Sequence, residues 1–242
     1  MDFTTFSQIF TSAAAKNGIL APNKAQMQQF YRFTEHLLEV NAHTNLTAIR
    51  DLIGIVDKHY IDSLLAMYLI PEGSRVLDLG CGPGFPSIPL AIMRPDLQIT
   101  ALDSTSKKID FVQKSAEILQ LSNLNGVSGR AEDLKLRKNL GKFDVVVSRA
   151  VARLNILCEL CLPYLRVGGN LIALKGAKYE EELAEATNAI KVLGGELAKT
   201  EQKELITAEN QAEMRGMIVA ELKKEPPAQY PRAYAAILKK PL

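Results

Sequence analysis

Three glycines at alternate positions mark the stretch of this chain whose residue types and spacing are best suited to chemistry. The apolar run Arg75–Leu79 has the composition of a buried strand, and Gly80, Gly82 and Gly84 follow it directly. Apolar residues then resume with helical spacing from residue 87. Strand, glycine turn and helix bring backbone close to a nucleotide-like ligand, because glycine has no Cβ to clash with that ligand. The stretch therefore predicts a ligand-binding loop.

The spacing of the glycines separates this loop from two other nucleotide-binding loops. A dinucleotide-binding GxGxxG loop would need glycine where Phe85 or Ser87 stands, and a P-loop would need Lys-Ser/Thr after the glycines. An acidic residue, GxGxG and a second acidic residue after the next strand are instead typical of class I S-adenosylmethionine (SAM) methyltransferases. We therefore predict SAM as the cofactor. The loop residues predicted to bind it are Asp78, Gly80, Gly82 and Gly84.

Polar residues at the ends of the next two strands extend the predicted cofactor site. Asp103 can accept hydrogen bonds from both ribose hydroxyls, and Ser104 and Thr105 follow it as further polar groups or as a helix cap. Asp103 also suits a helix N-cap, although the glycine loop upstream favours ribose binding. After the third strand, Glu132 can accept the adenine amino group. On its own, that segment would suit a solvated turn equally well.

The segment after the fourth strand is where a methyl acceptor would meet the cofactor. Enzymes that methylate exocyclic base amines usually carry Asn/Asp-Pro-Pro-aromatic here, whereas this chain has Ser148-Arg149-Ala150. Methylation of a pyrimidine carbon needs a cysteine nucleophile, but Cys158 and Cys161 fall within a predicted helix, and no second CxxC completes a zinc site. An acceptor that needs neither a base nor a covalent step remains, such as guanine N7. We expect Arg149 to position either the methionine carboxylate or the guanine edge, and we expect no metal.

His59 and Asp62 lie one helical turn apart and can both face the cofactor pocket. A metal site is not supported, because no further ligands lie nearby. A structural His–Asp pair that fixes the N-terminal helices to the sheet is as compatible with the spacing as a functional pair.

From residue 75 onward, strand and helix patterns alternate with short connections. Such repeated units predict a mostly parallel, doubly wound sheet. The predicted strands lie near 75–80, 98–103, 125–129, 143–148, 168–174, 196–206 and 214–223. The predicted helices lie near 86–94, 106–120, 153–164 and 179–193. The last two strands have no helix between them and predict an antiparallel hairpin, so we expect the Rossmann-like, seven-stranded α/β fold of class I SAM-dependent methyltransferases.

Residues 1–70 show helical spacing without strand-like alternation. Apolar residues at this spacing extend from Phe3 to Phe10 and again from Met27 to Val40, and a third helix is predicted over His59–Ile70. We therefore predict an N-terminal helical extension, 1–70, packed on a SAM-binding domain, 71–242.

Composition narrows the class of protein. The chain has 242 residues, is 47% hydrophobic and carries a formal net charge of +2, which is too small to indicate nucleic-acid binding by itself. Its three cysteines cannot all pair, which fits a reducing compartment. With no signal peptide pattern and no apolar run of roughly 18 residues, the sequence predicts a cytoplasmic protein that does not span a membrane. We expect a monomer.

The C-terminal tail is basic. Arg232, Lys239 and Lys240 stand among its basic residues, and Tyr230 and Tyr234 are interleaved with them, as phosphate contact and base stacking would require. A run of charges is also typical of a solvated face. The tail favours RNA as a partner, and these three basic residues are the predicted RNA contacts.

Several motifs together resemble one family. They are Asn45-Leu46-Thr47, His59-x-x-Asp62-Ser63-Leu64, Val76 to Pro86, Arg130-Ala131-Glu132-Asp133-Leu134, Ser148-Arg149-Ala150, Lys175-Gly176, Tyr230-Pro231-Arg232 and Lys240-Pro241-Leu242. On these motifs the chain resembles the RsmG (GidB) family, the bacterial small-subunit rRNA guanine-N7 methyltransferases. Many methyltransferases share the glycine loop, whereas the proline after Phe85 and the His-Asp-Ser and Ser-Arg-Ala segments are more specific.

The resemblance implies SAM as methyl donor and a guanine in the helix 18 (530) loop of 16S rRNA, in the small ribosomal subunit, as acceptor. For SAM it points to Gly80, Phe85, Ala131, Glu132 and Arg149. The chain departs from the family in its tail, where a glycine and a proline commonly stand in place of the segment 233–238. This departure concerns the RNA contact of the tail and not the SAM site.

Other functions are compatible with the same sequence. A nonenzymatic ribosome-assembly factor that keeps the fold would be expected to lose the glycines or Asp103, and this chain keeps both. A methyltransferase of a small molecule would not need a basic tail. An NAD-linked oxidoreductase also suits Asp103, but the GxGxG spacing and the terminal hairpin count against it.

Overall fold

The N-terminal region is built of helices. A computed structural model describes residues 2–242. Helix α1 (Phe3–Lys16) is capped by the Asp2 carboxylate, and α2 (Lys24–Thr44) begins with a capping box formed by Asn23 and Gln26. Capping side chains thus fix where both helices begin.

The third predicted helix begins earlier than the sequence pattern indicates. A short α3 (Leu52–Gly54) continues into a π-helical segment (Ile55–Ile61) and then α4 (Asp62–Leu64). The Asp51 carboxylate caps the start, accepting a hydrogen bond from the Gly54 N–H at 2.7 Å. The predicted range 59–70 was therefore too late by seven residues at its start. Beyond α4 only a short 3₁₀ turn follows, at Met67–Leu69.

Seven strands form one sheet in the order β3-β2-β1-β4-β5-β7-β6. The strands are β1 (Arg75–Leu79), β2 (Gln98–Asp103), β3 (Leu124–Ser128), β4 (Phe143–Arg149), β5 (Leu165–Lys175), β6 (Gly195–Ile206) and β7 (Ala212–Leu222). Strands β1 to β5 pair in parallel with one another, whereas β7 pairs antiparallel with both β5 and β6. The predicted seven-stranded fold and its terminal hairpin are confirmed.

Five helices connect the strands, and one follows the sheet. They are α5 (Ser87–Met93), α6 (Ser106–Leu119), α7 (Leu134–Leu140), α8 (Leu154–Cys161), α9 (Tyr179–Val192) and α10 (Tyr234–Lys239). Helices α7 and α10 were not predicted. Both are short, with seven and six residues, and neither has the repeated apolar spacing that reveals a longer helix.

Alternate residues of the central strands face two separate hydrophobic clusters. On β1, Val76 packs on one side of the sheet with the N-terminal helices, α5 and α6, whereas Leu77 packs on the other side with α8, α9 and α10. Both residues are fully buried. A parallel sheet covered on both faces needs such nearly continuous apolar strands, which is why β1 stood out in the sequence.

The cysteines belong to the packed interior of the protein. All three cysteines are buried and free, so Cys158 and Cys161 are packing residues of α8. No group of three or more potential metal ligands occurs among the described residues. In the same range, no helix combines the length and apolarity that a membrane crossing requires.

Candidate active site

A cavity of about 480 Å³ opens at the carboxyl ends of β1 to β4. This is where the strand order reverses, and ligands bind at this position in open α/β sheets. The cavity is lined by nine of the residues predicted from the sequence to bind the cofactor: Gly80, Gly82, Phe85, Asp103, Ser104, Thr105, Ala131, Glu132 and Arg149. These positions are spread over seventy residues of sequence, and the fold brings them to one site.

The glycine loop adopts the backbone conformation that its composition predicts. Gly80 and Gly82 have φ of +78° and +55°, in the left-handed region that favours glycine. A Cβ on Gly80 would lie 2.3 Å from the Cγ2 atom of Val151. The Gly80 N–H donates to the Leu102 carbonyl at 2.7 Å, which fixes the loop against the end of β2. Glycine at position 80 thus keeps a gap between the loop and the segment after β4.

Asp78 and Gly84 were also predicted to bind the cofactor, but the structure places them outside the cavity lining. The Asp78 carboxylate is fully buried beneath the loop and accepts a hydrogen bond from the Ser87 N–H at 2.9 Å. Burial raises the pKa of the Asp78 carboxyl from 3.8 to about 7. Gly84 faces Ile88, whose side chain would lie 2.4 Å from an added Cβ. Asp78 and Gly84 therefore support the conformation of the loop and do not line the cavity.

Asp103 joins the glycine loop to the end of β2. One carboxylate oxygen accepts from the Gly82 N–H at 3.0 Å and the other from the Thr105 N–H at 2.8 Å. A carboxylate oxygen can accept a second hydrogen bond, so both oxygens can still receive ribose hydroxyls from the cavity. The N-cap position of α6 is occupied by Thr105 and not by Asp103. The alternative of Asp103 as a helix cap is therefore wrong.

The segment after β3 is a turn in which Arg130 and Asp133 are exposed, but it is anchored to the protein by hydrogen bonds. The Ala131 carbonyl accepts a hydrogen bond from the Tyr164 hydroxyl at 2.9 Å. The Glu132 carboxylate is paired with the Arg130 guanidinium at 2.6 Å, and its side chain is only 16% exposed. The Asp133 carboxylate caps α7. The segment therefore presents a fixed polar edge to the cavity.

Arg149 connects the cavity to the N-terminal helices. Its Nη1 donates to the Lys58 carbonyl at 2.7 Å and to Asp62 Oδ2 at 2.9 Å. The other Asp62 oxygen accepts from Arg215 Nε on β7 at 2.7 Å. The Arg149 Nε is buried and has no hydrogen-bond partner among residues 2–242. Because Arg149 lines the cavity, its guanidinium is suited to an anionic or carbonyl group of a ligand.

His59 and Asp62 do not form the pair that their spacing suggested. The His59 ring stacks on Phe85 with centroids 4.2 Å apart, and its Nε2 lies 2.8 Å from the Thr47 hydroxyl. Burial, followed by the nearby charge of Arg149, lowers the pKa of His59 to about 3. His59 is therefore a neutral residue in the wall of the cavity, while Asp62 pairs with Arg149 and Arg215.

Sequence reasoning missed several lining residues, including Thr47, Lys108, Val151 and Tyr234. Thr47 and Tyr234 lie far along the chain from the strand ends. The rule that ligands bind at the carboxyl ends of the strands therefore does not identify them. The only signal for Thr47 was its place in the Asn45-Leu46-Thr47 motif.

The predicted RNA contacts of the tail have different environments. Lys239 and Lys240 are exposed at the end of α10. The Arg232 guanidinium instead pairs with Glu159 at 2.6 Å, and Glu159 is fully buried. Arg232 thus fastens the tail to α8, a contact that the sequence did not indicate.

Comparison with known proteins identifies relatives over almost the whole chain. The family model GidB, described as rRNA small subunit methyltransferase G, matches residues 26–211. A ribosomal RNA small subunit methyltransferase G from Lactobacillus delbrueckii subsp. bulgaricus is 40% identical, with 97% of this chain and 99% of that protein aligned. The protein of the same name from Brevibacillus brevis is 43% identical, with 96% and 98% aligned.

A solved structure supports the fold. The structure of M. jannaschii TYW2 in complex with AdoMet aligns with 66% of this chain and 74% of that one, with a TM-score of 0.53 and 16% sequence identity. At that identity the likeness concerns the fold, which is that of class I SAM-dependent methyltransferases. The family match and the near-complete relatives show more: the chain belongs to the GidB family, the rRNA small subunit methyltransferases G.

Proposed function

We propose that this protein transfers a methyl group from SAM to N7 of a guanine in the helix 18 loop of 16S rRNA. The observation that carries the proposal is the cavity at the switch point, which gathers nine of the predicted cofactor residues. Membership of the GidB family supplies the class of acceptor. In this proposal the protein works in the cytoplasm on the small ribosomal subunit, as a monomer.

The residues of the cavity fit SAM. Asp103 suits the two ribose hydroxyls, and the polar edge at Ala131 and Glu132 suits the adenine ring. The glycine loop leaves room for the methionine part, and the guanidinium of Arg149, which lines the cavity, suits its carboxylate. When bound, SAM supplies an electrophilic methyl group.

The two carboxylates that line the cavity, Asp103 and Glu132, are assigned to the cofactor in this proposal, and guanine N7 does not need a general base. His59 is neutral but is buried against Phe85 and Thr47, and Asp78 lies beneath the loop. N7 carries a lone pair and no proton, so its methylation requires no proton acceptor. The protein then contributes by holding the two reactants in line and by excluding water.

The test is transfer of tritiated methyl from SAM to small ribosomal subunits that lack this modification, with free 16S rRNA and a low-molecular-weight cell extract in parallel. We expect label in RNA from one or both RNA substrates and none in the extract. Asp103→Ala should abolish transfer at SAM concentrations that saturate the wild type, while its circular dichroism stays native. Label in the extract alone would favour the small-molecule enzyme. Tight SAM binding without any transfer would favour the nonenzymatic assembly factor.

A further inference from the structure

Tyr234 lies in the wall of the cofactor cavity, although it belongs to the C-terminal tail. It lines the cavity together with Arg130, Ala131 and Glu132, the edge proposed above for adenine. The Arg130 guanidinium lies over the Tyr234 ring, 5.1 Å from its centroid, and also pairs with Glu132. The ring, the cation and the carboxylate form one connected corner of the cavity.

The helix that carries Tyr234 is fixed to the protein. Arg232, just before the helix, makes three hydrogen bonds to the buried Glu159 carboxylate, one from its backbone N–H and two from its guanidinium. Ile237, one turn after Tyr234, is fully buried against the cluster that contains α8. The Tyr230 carbonyl accepts a hydrogen bond from Arg137 on α7 at 2.9 Å. Tyr234 is therefore presented to the cavity by an anchored element.

Tyr234 is the first residue of α10, and its side chain is only partly exposed. An aromatic ring at the mouth of an adenine subsite offers a face on which a planar base can stack. The two lysines at the far end of α10, Lys239 and Lys240, are exposed to solvent and do not line the cavity beside Tyr234.

We propose that Tyr234 is a cofactor-binding residue whose ring contacts the adenine of SAM, so that the C-terminal helix forms one wall of the cofactor site. The inference rests on the proposed use of SAM. Its ligand class is any adenine nucleoside, including 5′-methylthioadenosine, which lacks the amino-acid part of SAM.

The absence of tryptophan from the chain provides a direct optical test. In Tyr234→Trp, the single tryptophan should lose fluorescence when SAM or 5′-methylthioadenosine binds, because the indole comes into contact with adenine. Leu238→Trp places the probe on the same helix at a position that is 52% exposed, and its fluorescence should not change. A Tyr234→Trp signal that stays constant while calorimetry records SAM binding to the same variant would overturn the proposal.

Affinity provides the second measurement. Tyr234→Ala should raise the Kd of both SAM and 5′-methylthioadenosine by roughly tenfold, while Tyr234→Phe and Leu238→Ala leave both unchanged. An equal loss of affinity for the two ligands assigns the contact to the adenosine half, which both ligands share. An unchanged Tm of the variant excludes a general loosening of the fold as the cause. Unchanged affinity in Tyr234→Ala would contradict the inference alone. Failure of the wild-type protein to bind SAM would contradict the proposed function itself.

Discussion

Phe85 links the cavity to the N-terminal helices through contacts of its ring. It is 4% exposed, stacks on His59 and lies 5.6 Å from the Phe33 ring on α2, measured between centroids. The Arg149 guanidinium lies 5.7 Å from the centre of the same ring. Because one ring contacts three elements, the shape of the cavity depends on how the N-terminal helices pack.

A glycine substitution can separate the cost of backbone strain from the loss of the cavity. Gly80 and Gly73 both have positive φ, but an added Cβ on Gly80 would meet Val151 at 2.3 Å, whereas Gly73 has no atom within 4 Å. We expect Gly73→Ala to lower the free energy of unfolding by about 1 kcal/mol and to leave SAM affinity unchanged. Gly80→Ala should cost more and weaken SAM binding at least tenfold, as measured by calorimetry. Equal SAM affinities in the two variants would show that the gap beside Val151 is not needed.

Asp78 predicts a pH dependence of stability. Its folded pKa of about 7 lies above its ordinary value of 3.8, so between these pH values the folded state holds a proton that the unfolded state has lost. Its contribution to stability is therefore fully present below pH 3.8 and is lost as pH rises through about 7.

The Asp78→Asn variant removes that contribution and keeps an oxygen for the Ser87 N–H. The difference in free energy of unfolding, variant minus wild type, should increase as pH rises, by at most about 1.4 kcal/mol per pH unit in this window. Urea denaturation of both proteins at several pH values measures the difference. Parallel curves from pH 4 to pH 8 would contradict the assignment.

Individual residues also show how far sequence reasoning extends. The strand-end rule placed Asp103, Glu132 and Arg149 at the cavity, because parallel strands end at a common edge. It could not give their partners, since those come from other parts of the chain. Asp62, for example, reaches Arg149 across 87 residues of sequence.

At the scale of elements, Asp62 holds three of them together. Its carboxylate, at the start of α4, binds Arg149 at the end of β4 and Arg215 on β7. All three side chains are less than one-fifth exposed. The N-terminal helices are thus joined to the sheet by buried charges as well as by apolar packing.

Removing this carboxylate should be far more damaging than removing an exposed one. Asp62→Ala removes the shared carboxylate from two mostly buried guanidinium groups, leaving Arg149 without a carboxylate partner and Arg215 with Glu213 alone, and should lower the free energy of unfolding by about 3 kcal/mol. The matched control is Glu185→Ala, which breaks the exposed pair with Arg153, whose side chains are 55% and 47% exposed, and should cost less than about 1 kcal/mol. Urea denaturation compares them. Similar losses in both variants would mean that the buried network does not stabilise the fold.

The elements that were predicted from the sequence differ from those that were missed in the length of their apolar pattern. Strands and helices of the α/β region have long apolar periodicities, and all seven strands were predicted within three residues at each end. Helix α3 was missed because its start depends on the Asp51 cap and a π-helical segment, and α10 because its anchor, Glu159, lies on another helix. The contact that anchors α10 joins residues far apart in the sequence, and such a contact leaves no local pattern to detect.

At the scale of the whole molecule, the net charge of +2 is small, so any attraction to RNA depends on where charges are exposed. Arg232 is engaged with Glu159, which leaves the exposed Lys239 and Lys240 as the predicted RNA contacts of the tail. Their position at the end of α10 places them on the same element as Tyr234.

Reversing both charges should affect RNA and not the cofactor. The double variant Lys239→Glu, Lys240→Glu should raise the KM for small ribosomal subunits several-fold at low salt and leave the KM for SAM unchanged. A control with Lys24→Glu and Lys191→Glu changes the net charge equally at exposed positions elsewhere. Steady-state methyl transfer gives both constants. Equal effects of the tail variant on both substrates would assign the lysines a structural role.

The measurement that tests the central claim most directly is to locate the methyl group on the RNA. Small subunits lacking the modification are incubated with the protein and SAM, and the extracted 16S rRNA is reduced with borohydride and treated with aniline, which cleaves the chain at 7-methylguanosine. Primer extension then locates the cleavage. We expect a single SAM-dependent break in the helix 18 loop. Methylated RNA that resists cleavage there would place the methyl group on another atom and would contradict a transfer that needs no base.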